Sequence, residues 1–276
     1  MANFNVADVK ILRDRLGAGM VDSKNALVEA DGDIDKAIEI LRLKGQKGVA
    51  KREGRATSEG LVAAKENGNS ATLIELACET DFVAKNQKFI DLSEKVLDAT
   101  VAANASTVAE ALGAACGPHQ TVAEVITDEA AILGEKLELR RVAQVGGEHF
   151  AIYLHRTSKD LPPQVGVIVG YIGDDADTAR SIAQHISFAN PEYLNREGVP
   201  ADAVEAERKI VTEIAENEGK PAAALPKIIE GRLTGYFKQV ALLDQDYAKD
   251  NKLSVGKVVA DAGLTITGFA RFKVGA

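Results

Sequence analysis

The order of hydrophobic patterns restricts this chain more tightly than any other feature, because the run strand, strand, helix occurs twice, about ninety residues apart. Residues 59–65 and 71–78 read as a hairpin around Glu66-Asn67-Gly68-Asn69-Ser70, where Asn-Gly supplies the turn chemistry. Phe89, Leu92, Val96 and Ala99 then recur at helical spacing toward Ala103. Residues 150–154 and 165–172, joined through Pro162-Pro163, read as a second hairpin, followed by a helix over 178–188. Between the two units, 123–133 reads as a helix and 135–144 as a strand. A chain that repeats this order is expected to fold as two related α+β subdomains, antiparallel sheets with helices, that arose by internal duplication.

The flanks add helices. Residues 6–44 show three helical patterns: Val6, Val9, Leu12 and Leu16, then Val21, Leu27 and Ala30, then Ile34, Ala37, Ile38 and Leu41. Gly17-Ala18-Gly19 and Asp31-Gly32-Asp33 divide them. This predicts a three-helix module over 1–45, small enough to need a larger body. Residues 42–55 carry six basic side chains against one acid, with three glycines, and 46–57 is expected to be a solvated basic linker. The core subdomains then occupy 58–146 and 147–276. Within the second, 203–218 and 226–240 read as an antiparallel helical hairpin about Gly219-Lys220-Pro221, an insertion spanning roughly 200–240. Pro226 suits the first turn of its second helix, and Ile229, Leu233 and Phe237 give that helix one apolar face. A last strand is expected over 265–274, where Gly268 breaks the alternation of Ile266, Phe269 and Phe272.

Composition excludes more than it identifies. With 46% apolar and 27% charged residues over 276 positions, the chain is globular, and without Trp its core must be built from Ala, Val, Leu and Ile. Its 33 basic and 41 acidic side chains leave a net charge of −8, a poor balance for holding a polyanion. The longest uncharged stretches, 111–123 and 161–173, are 13 residues each, too short for a membrane helix. The start, MANFNVADVK, lacks a signal peptide's basic and apolar regions, and the only cysteines, Cys78 and Cys116, lie 38 apart. A cytoplasmic protein without a structural disulfide is expected. No phosphate loop, dinucleotide fingerprint or nucleophile elbow occurs, and His119, His149, His155 and His185 are scattered, so neither an enzyme nor a chain with its own cofactor or metal is expected.

One segment stands out: Glu79-Thr80-Asp81-Phe82-Val83-Ala84-Lys85-Asn86, between a strand and the first periodic residue of a helix. In one reading Thr80 or Asp81 caps that helix and Phe82 packs as a hydrophobic staple, seven residues before Phe89 on the same face. In the other, the loop presents an acid and an aromatic to a partner, since aromatic anchors carry disproportionate binding energy.

Cys78-Glu79-Thr80-Asp81-Phe82-Val83-Ala84-Lys85-Asn86 closely resembles the signature of the bacterial translation elongation factor Ts family, and Leu16-Gly17-Ala18-Gly19-Met20-Val21-Asp22-Ser23-Lys24-Asn25-Ala26-Leu27 resembles that family's first signature. Glu135-Lys136-Leu137-Glu138-Leu139-Arg140-Arg141-Val142, Val165-Gly166-Val167-Ile168-Val169 and Phe269-Ala270-Arg271-Phe272-Lys273-Val274-Gly275 are similar to further blocks in the family's order. Several collinear blocks are far more specific than one short motif. The resemblance implies a UBA-like N-terminal module, a two-subdomain core and a protruding helical hairpin. It also implies a non-enzymatic guanine-nucleotide exchange factor for the GTPase elongation factor Tu, touching its GTPase domain and a neighbouring domain.

By the same resemblance, Thr80, Asp81, Phe82 and Val83 displace the partner's Mg²⁺, with the aromatic wedged between side chains of the GTPase domain. Further partner contacts are implied at Arg13, Met20, Val21, Lys24, Leu133, Gly134 and His155. On pattern alone Met20 and Val21 suit a core equally well, Arg13 and Lys24 are ordinary solvated charges, Leu133-Gly134 is an ordinary helix end, and a lone His155 is a satisfied loop residue. Ser23 stands where many relatives carry Cys. Longer relatives continue into another helical module that touches the GTPase, whereas this chain stops at Ala276, so those contacts are expected to be absent. The rival reading is an RNA- or ribosome-binding protein that uses the basic linker, although no aromatics interleave there for base stacking.

Overall fold

A computed structural model describes residues 3–16 and 18–276. Gly17, part of the turn expected after the first helix, lies outside them. The first three helices are α1 (Val6–Leu16), α2 (Met20–Glu29) and α3 (Ile34–Arg52). They close on Val9, Leu12, Ala26, Leu27, Ala30 and Ala37. Ser23 is buried beside Ala26 and Leu27 on α2, and among the described residues its hydroxyl has no hydrogen-bond partner.

The stretch expected to be a linker from residue 46 is helical as far as Arg52, as the second half of α3. Glycine weakens an isolated helix, but packing overrides that preference. A Cβ on Gly45 would lie 2.6 Å from Ala131 Cβ, and Val49 packs against the main core.

The body starts with β1 (Glu59–Asn67) and β2 (Ser70–Cys78), an antiparallel hairpin closed by Gly68-Asn69, with Gly68 at φ 62°. Such two-residue turns favour glycine, which takes positive φ without strain. Next come α4 (Asp81–Ala84), α5 (Gln87–Ala102), α6 (Val108–Gly113), α7 (Val122–Leu133) and β3 (Leu137–Gly146). The second half repeats the plan with β4 (His149–His155), β5 (Val165–Ile172) and α8 (Ala176–Ala189). The helical pair α9 (Ala201–Asn217) and α10 (Leu225–Val240) follows, then β6 (Asp246–Tyr247), β7 (Asp250–Ser254), α11 (Val255–Asp261) and β8 (Thr265–Lys273). The two main sheets have the orders β1-β2-β3 and β4-β5-β8, each with its second strand central and all pairs antiparallel.

These sheets meet face to face. Val62, Ala71, Leu73 and Val145 of one pack on Ile168 of the other. Gly166 permits the approach, since a Cβ there would lie 2.8 Å from Leu73 Cδ1. The opposite faces carry helices: Ile74 and Leu76 pack with Phe89, Leu92 and Val96, and Val167 and Val169 pack with Ile182 and Ile186. Both central strands are therefore buried on both faces, which explains the near-continuous apolar run of β5 and means that the polar Thr72 and Glu75 of β2 are buried as well. The break expected at Gly268 is a bulge: Gly170 pairs with Gly268 and Tyr171 with Ile266, so Thr267 is extra.

One carboxylate is buried in this core. Glu75 of β2 is fully enclosed, with Arg141 Nε at 2.5 Å from Oε2 and Arg140 Nη1 at 3.6 Å from Oε1. A bulge makes this double contact feasible, because Glu75 pairs with Arg141 and Leu76 with Leu139, leaving Arg140 extra. Arg141 also donates to the Lys273 carbonyl at 2.6 Å and lies 4.6 Å from the Phe272 ring centroid, and the Gly275 N–H donates to Glu75. The same ion cluster thus fastens the last strand to the first sheet. Removing one partner of a buried pair strands the other charge, so Glu75→Ala should lower unfolding free energy by about 3 kcal/mol in urea titration. A loss below about 1 kcal/mol would mean that solvent replaces the carboxylate.

His185 of α8 is buried as well. Its Nδ1 accepts from the Ala248 N–H at 3.3 Å, so Nε2 carries the proton and donates to Gln245 Oε1 at 2.9 Å. Burial holds this imidazole below its ordinary value of 6.5, against the Gln245 hydrogen bond. As pH falls through 6.5 the unfolded chain takes up a proton that the folded one refuses, so this stabilisation is complete above that pH and is lost below it. Between about pH 7 and pH 5 the thermal midpoint should fall less in His185→Gln than in the wild type.

Candidate functional site

The segment 79–86 leaves β2 at its buried end and is held from both sides. The Glu135 carboxylate accepts from the N–H of Glu79 at 3.1 Å, the N–H of Thr80 at 3.0 Å and the Thr80 hydroxyl at 2.5 Å. In return, the Glu79 carboxylate accepts from the Lys136 N–H at 2.7 Å and from Arg55 Nη1 at 3.1 Å. Burial pushes the Glu79 carboxyl up, but the Lys136 N–H and the Arg55 guanidinium outweigh it and hold the group below the usual carboxylate value. Cys78 sits beneath, its thiol donating to the Thr80 carbonyl at 3.2 Å, and burial among the charges of Glu135 and Glu59 pushes that thiol well up.

On this brace sits α4, a single turn. Thr80 caps it, with its hydroxyl oxygen accepting from the Val83 N–H, and Val83 and Ala84 turn into the core. The chain then breaks helix: Asn86 caps α5 by accepting from the Lys88 N–H at 2.9 Å. Phe82 and Phe89 therefore do not share a helical face. Phe89 is fully buried and Phe82 is 80% exposed, so the staple reading is wrong. The cause is the second cap, which starts a new helix between the two aromatics. Asp81, partly exposed, accepts from Lys85 Nζ at 2.6 Å, and that hydrogen bond holds its carboxyl below the usual value. The same ammonium lies 5.6 Å from the Phe82 ring centroid, within cation–π range.

Of the other expected site residues, Met20 and Val21 are surface groups, 61% and 69% exposed at the start of α2, and Arg13 and Lys24 are exposed too. Leu133 packs against the main core, and Gly134 ends α7 at φ 76°, its N–H on the Ala130 carbonyl at 3.1 Å. The loop before α2 and Gly134 come together, because Ala18, Gly19, Asp22 and Gly134 line one cavity of 530 Å³ between the helical module and the core. His155 lies at the end of β4, its Nδ1 3.1 Å from the Tyr153 hydroxyl. Among the described residues it has no hydrogen bond or ion pair with the other site residues. The braces Glu79 and Glu135 escaped sequence reasoning as functional residues, although both lie in the blocks that carry the family resemblance.

The basic residues are partly engaged: Lys44 pairs with Glu29, Arg52 Nη2 donates to the Ala130 carbonyl at 3.3 Å and Arg55 pairs with Glu79. Among the described residues no three His, Cys, Asp or Glu side chains gather as metal ligands, and no helix is long and apolar enough to cross a membrane.

Fold and site together define a class: an α+β protein of two facing three-stranded sheets that carries an exposed aromatic and an acid on a braced turn. Residues 79–276 match the family model described as Elongation factor TS. Over its whole length the chain is 79% identical to the Elongation factor Ts of Clavibacter sepedonicus, 71% to that of Leifsonia xyli subsp. xyli and 57% to that of Beutenbergia cavernae, in each case covering all of both chains. The chain belongs to the elongation factor Ts family, and its role is in translation elongation.

The brace has a direct test. Glu135→Ala deletes an acceptor shared by three donors and should speed hydrogen exchange at the Thr80 and Val83 amides about tenfold or more. Unchanged protection in peptides covering 78–86 would show that Glu135 does not hold the turn.

Proposed function

We propose that this chain is a guanine-nucleotide exchange factor for elongation factor Tu. It binds the GDP-bound GTPase, displaces Mg²⁺ from the partner's site and promotes GDP release so that GTP enters. The observation that carries this reading is Phe82, four-fifths exposed on a turn whose backbone is tied down on both sides. An exposed aromatic on a fixed backbone is a ready anchor for a partner's pocket, and this one stands beside an acid that its Lys85 hydrogen bond keeps ionised.

Mg²⁺ demands near-ideal octahedral geometry, so a small shift of one supporting element weakens metal and nucleotide together. A wedge needs no bond chemistry, which agrees with a chain that acts without catalysis and without a nucleotide, cofactor or metal of its own. Phe82 and Asp81 reach the partner, while Thr80 and Val83 hold the turn. Arg13, Met20, Val21 and Lys24 form a second contact, Leu133-Gly134 a third and His155 a fourth. A ten-thousandfold acceleration corresponds to favouring the release transition state by about 5.5 kcal/mol, within reach of a few anchors. Linkage makes the effect reciprocal: bound nucleotide weakens the factor's hold as the factor weakens the nucleotide's, and rebinding of GTP frees it. The cycle runs in the cytoplasm, with translation.

Stopped-flow release of a fluorescent GDP analogue from elongation factor Tu tests the reading, which fails if this chain does not accelerate release. Phe82→Ala should slow catalysed release by about tenfold or more and shift stability by no more than about 0.5 kcal/mol, as exposed truncations do. A collapse in stability would instead make Phe82 a structural residue. Asp81→Ala should slow release as well, and an unchanged rate would remove it from the site.

A further inference from the structure

We propose that the second half of α3, seated on α7 through Gly45 and Ala131, is a positioning strut that sets where the Met20–Lys24 surface stands relative to Gly134 and the Phe82 turn. This rests on the exchange-factor reading above and names residues that reading does not use.

The strut is one unbroken helix. Nineteen residues at 1.5 Å per residue span about 28 Å, from the core of the three-helix module to the core of the first subdomain. Its first half packs in the module through Ala37. Its second half crosses α7 where a glycine faces an alanine, and a Cβ on Gly45 would come within 2.6 Å of Ala131 Cβ. Contact that close is intolerant of any added atom, and it explains a glycine in a helix interior, where alanine is otherwise preferred. Just beyond, Arg52 Nη2 donates to the Ala130 carbonyl, and after the helix Arg55 pairs with Glu79, which braces the Phe82 turn. One stretch of chain therefore touches the element that ends in Gly134 and the turn that bears Phe82, and leads back to the module that bears Met20 and Val21.

Among the described residues the junction is incompletely filled: the 530 Å³ cavity separates the loop before α2 from α7, and Arg52 Nε and Glu129 Oε2 on its lining are buried without hydrogen-bond partners. The Arg52 hydrogen bond to the Ala130 carbonyl ends a flexible side chain, so the backbone spacing of the two helices is set at the Gly45–Ala131 approach. Gly48 is different, because a Cβ there meets only the flexible Arg52 guanidinium, at 3.2 Å.

The test is GDP-release kinetics with elongation factor Tu, resolved into kcat and KM, for full-length variants. Gly45→Ala should raise KM about fivefold or more with kcat nearly unchanged, because a displaced module loses binding that is common to ground and transition states. Adding Ala131→Gly, which vacates the opposing methyl, should restore KM, and Gly48→Ala should match the wild type. In a Met20→Ala/Val21→Ala background, Gly45→Ala should have no further effect on KM. The inference is overturned if Gly45→Ala leaves KM within about twofold of wild type, if Ala131→Gly fails to rescue it, or if its effect persists in that background. A wild-type chain that does not accelerate release would instead sink the exchange-factor reading itself.

Discussion

The face-to-face contact of the two three-stranded sheets governs the arrangement of everything else. A three-stranded antiparallel sheet has two faces to cover and is marginal unless something packs on it. Here each sheet covers one face of the other, at a spacing that Gly166 makes close, and Glu75 with Arg140 and Arg141 fastens the last strand across the seam. With the inner faces used, the helices are forced to the outer faces. The turn that follows β2 then emerges on the helix-covered side, beside β1 and α5, rather than between the sheets. Its side chains divide accordingly, with Val83 and Ala84 in the helix-covered core and Phe82 in solvent.

Much of this plan was legible because burial leaves a periodic mark. The doubled strand-strand-helix order, the helical pair and the bulge at Gly268 all correspond to local patterns that the structure realises. What was not legible depends on distant partners or on short elements. The helix through Gly45 and Gly48 exists because α7 lies against it, a contact some eighty residues away in sequence that no local propensity encodes. The short elements α6, β6, β7 and α11 are too brief to show a period. At Phe82 the spacing to Phe89 fits one helical face, yet Asn86 serves as a cap, and one capping residue overrides a seven-residue repeat. Pattern alone marked 79–86 as a segment able to present an acid and an aromatic, the roles of the remaining site residues came only from resemblance, and the carboxylate braces became visible only once β2 and β3 were paired.

A wedge performs work only if it yields less than the element it pushes. For Phe82 the relevant stiffness is that of the backbone beneath it, where Glu135 accepts from Glu79 and Thr80 and Glu79 accepts from Lys136 and Arg55. Hydrogen bonds to charged groups contribute about 1.5–3 kcal/mol each, so four at the low end of that range already match the roughly 5.5 kcal/mol of a ten-thousandfold acceleration. A single-residue cap on an otherwise free loop contributes about 1 kcal/mol and would yield first. The depressed titration of Glu79 belongs to the same argument, since the carboxylate must stay ionised to accept from both of its donors at once. Two acidic residues far apart in sequence thus convert an exposed phenylalanine from a flexible side chain on a loop into a rigid projection, and a partner that meets it has to move its own side chains instead.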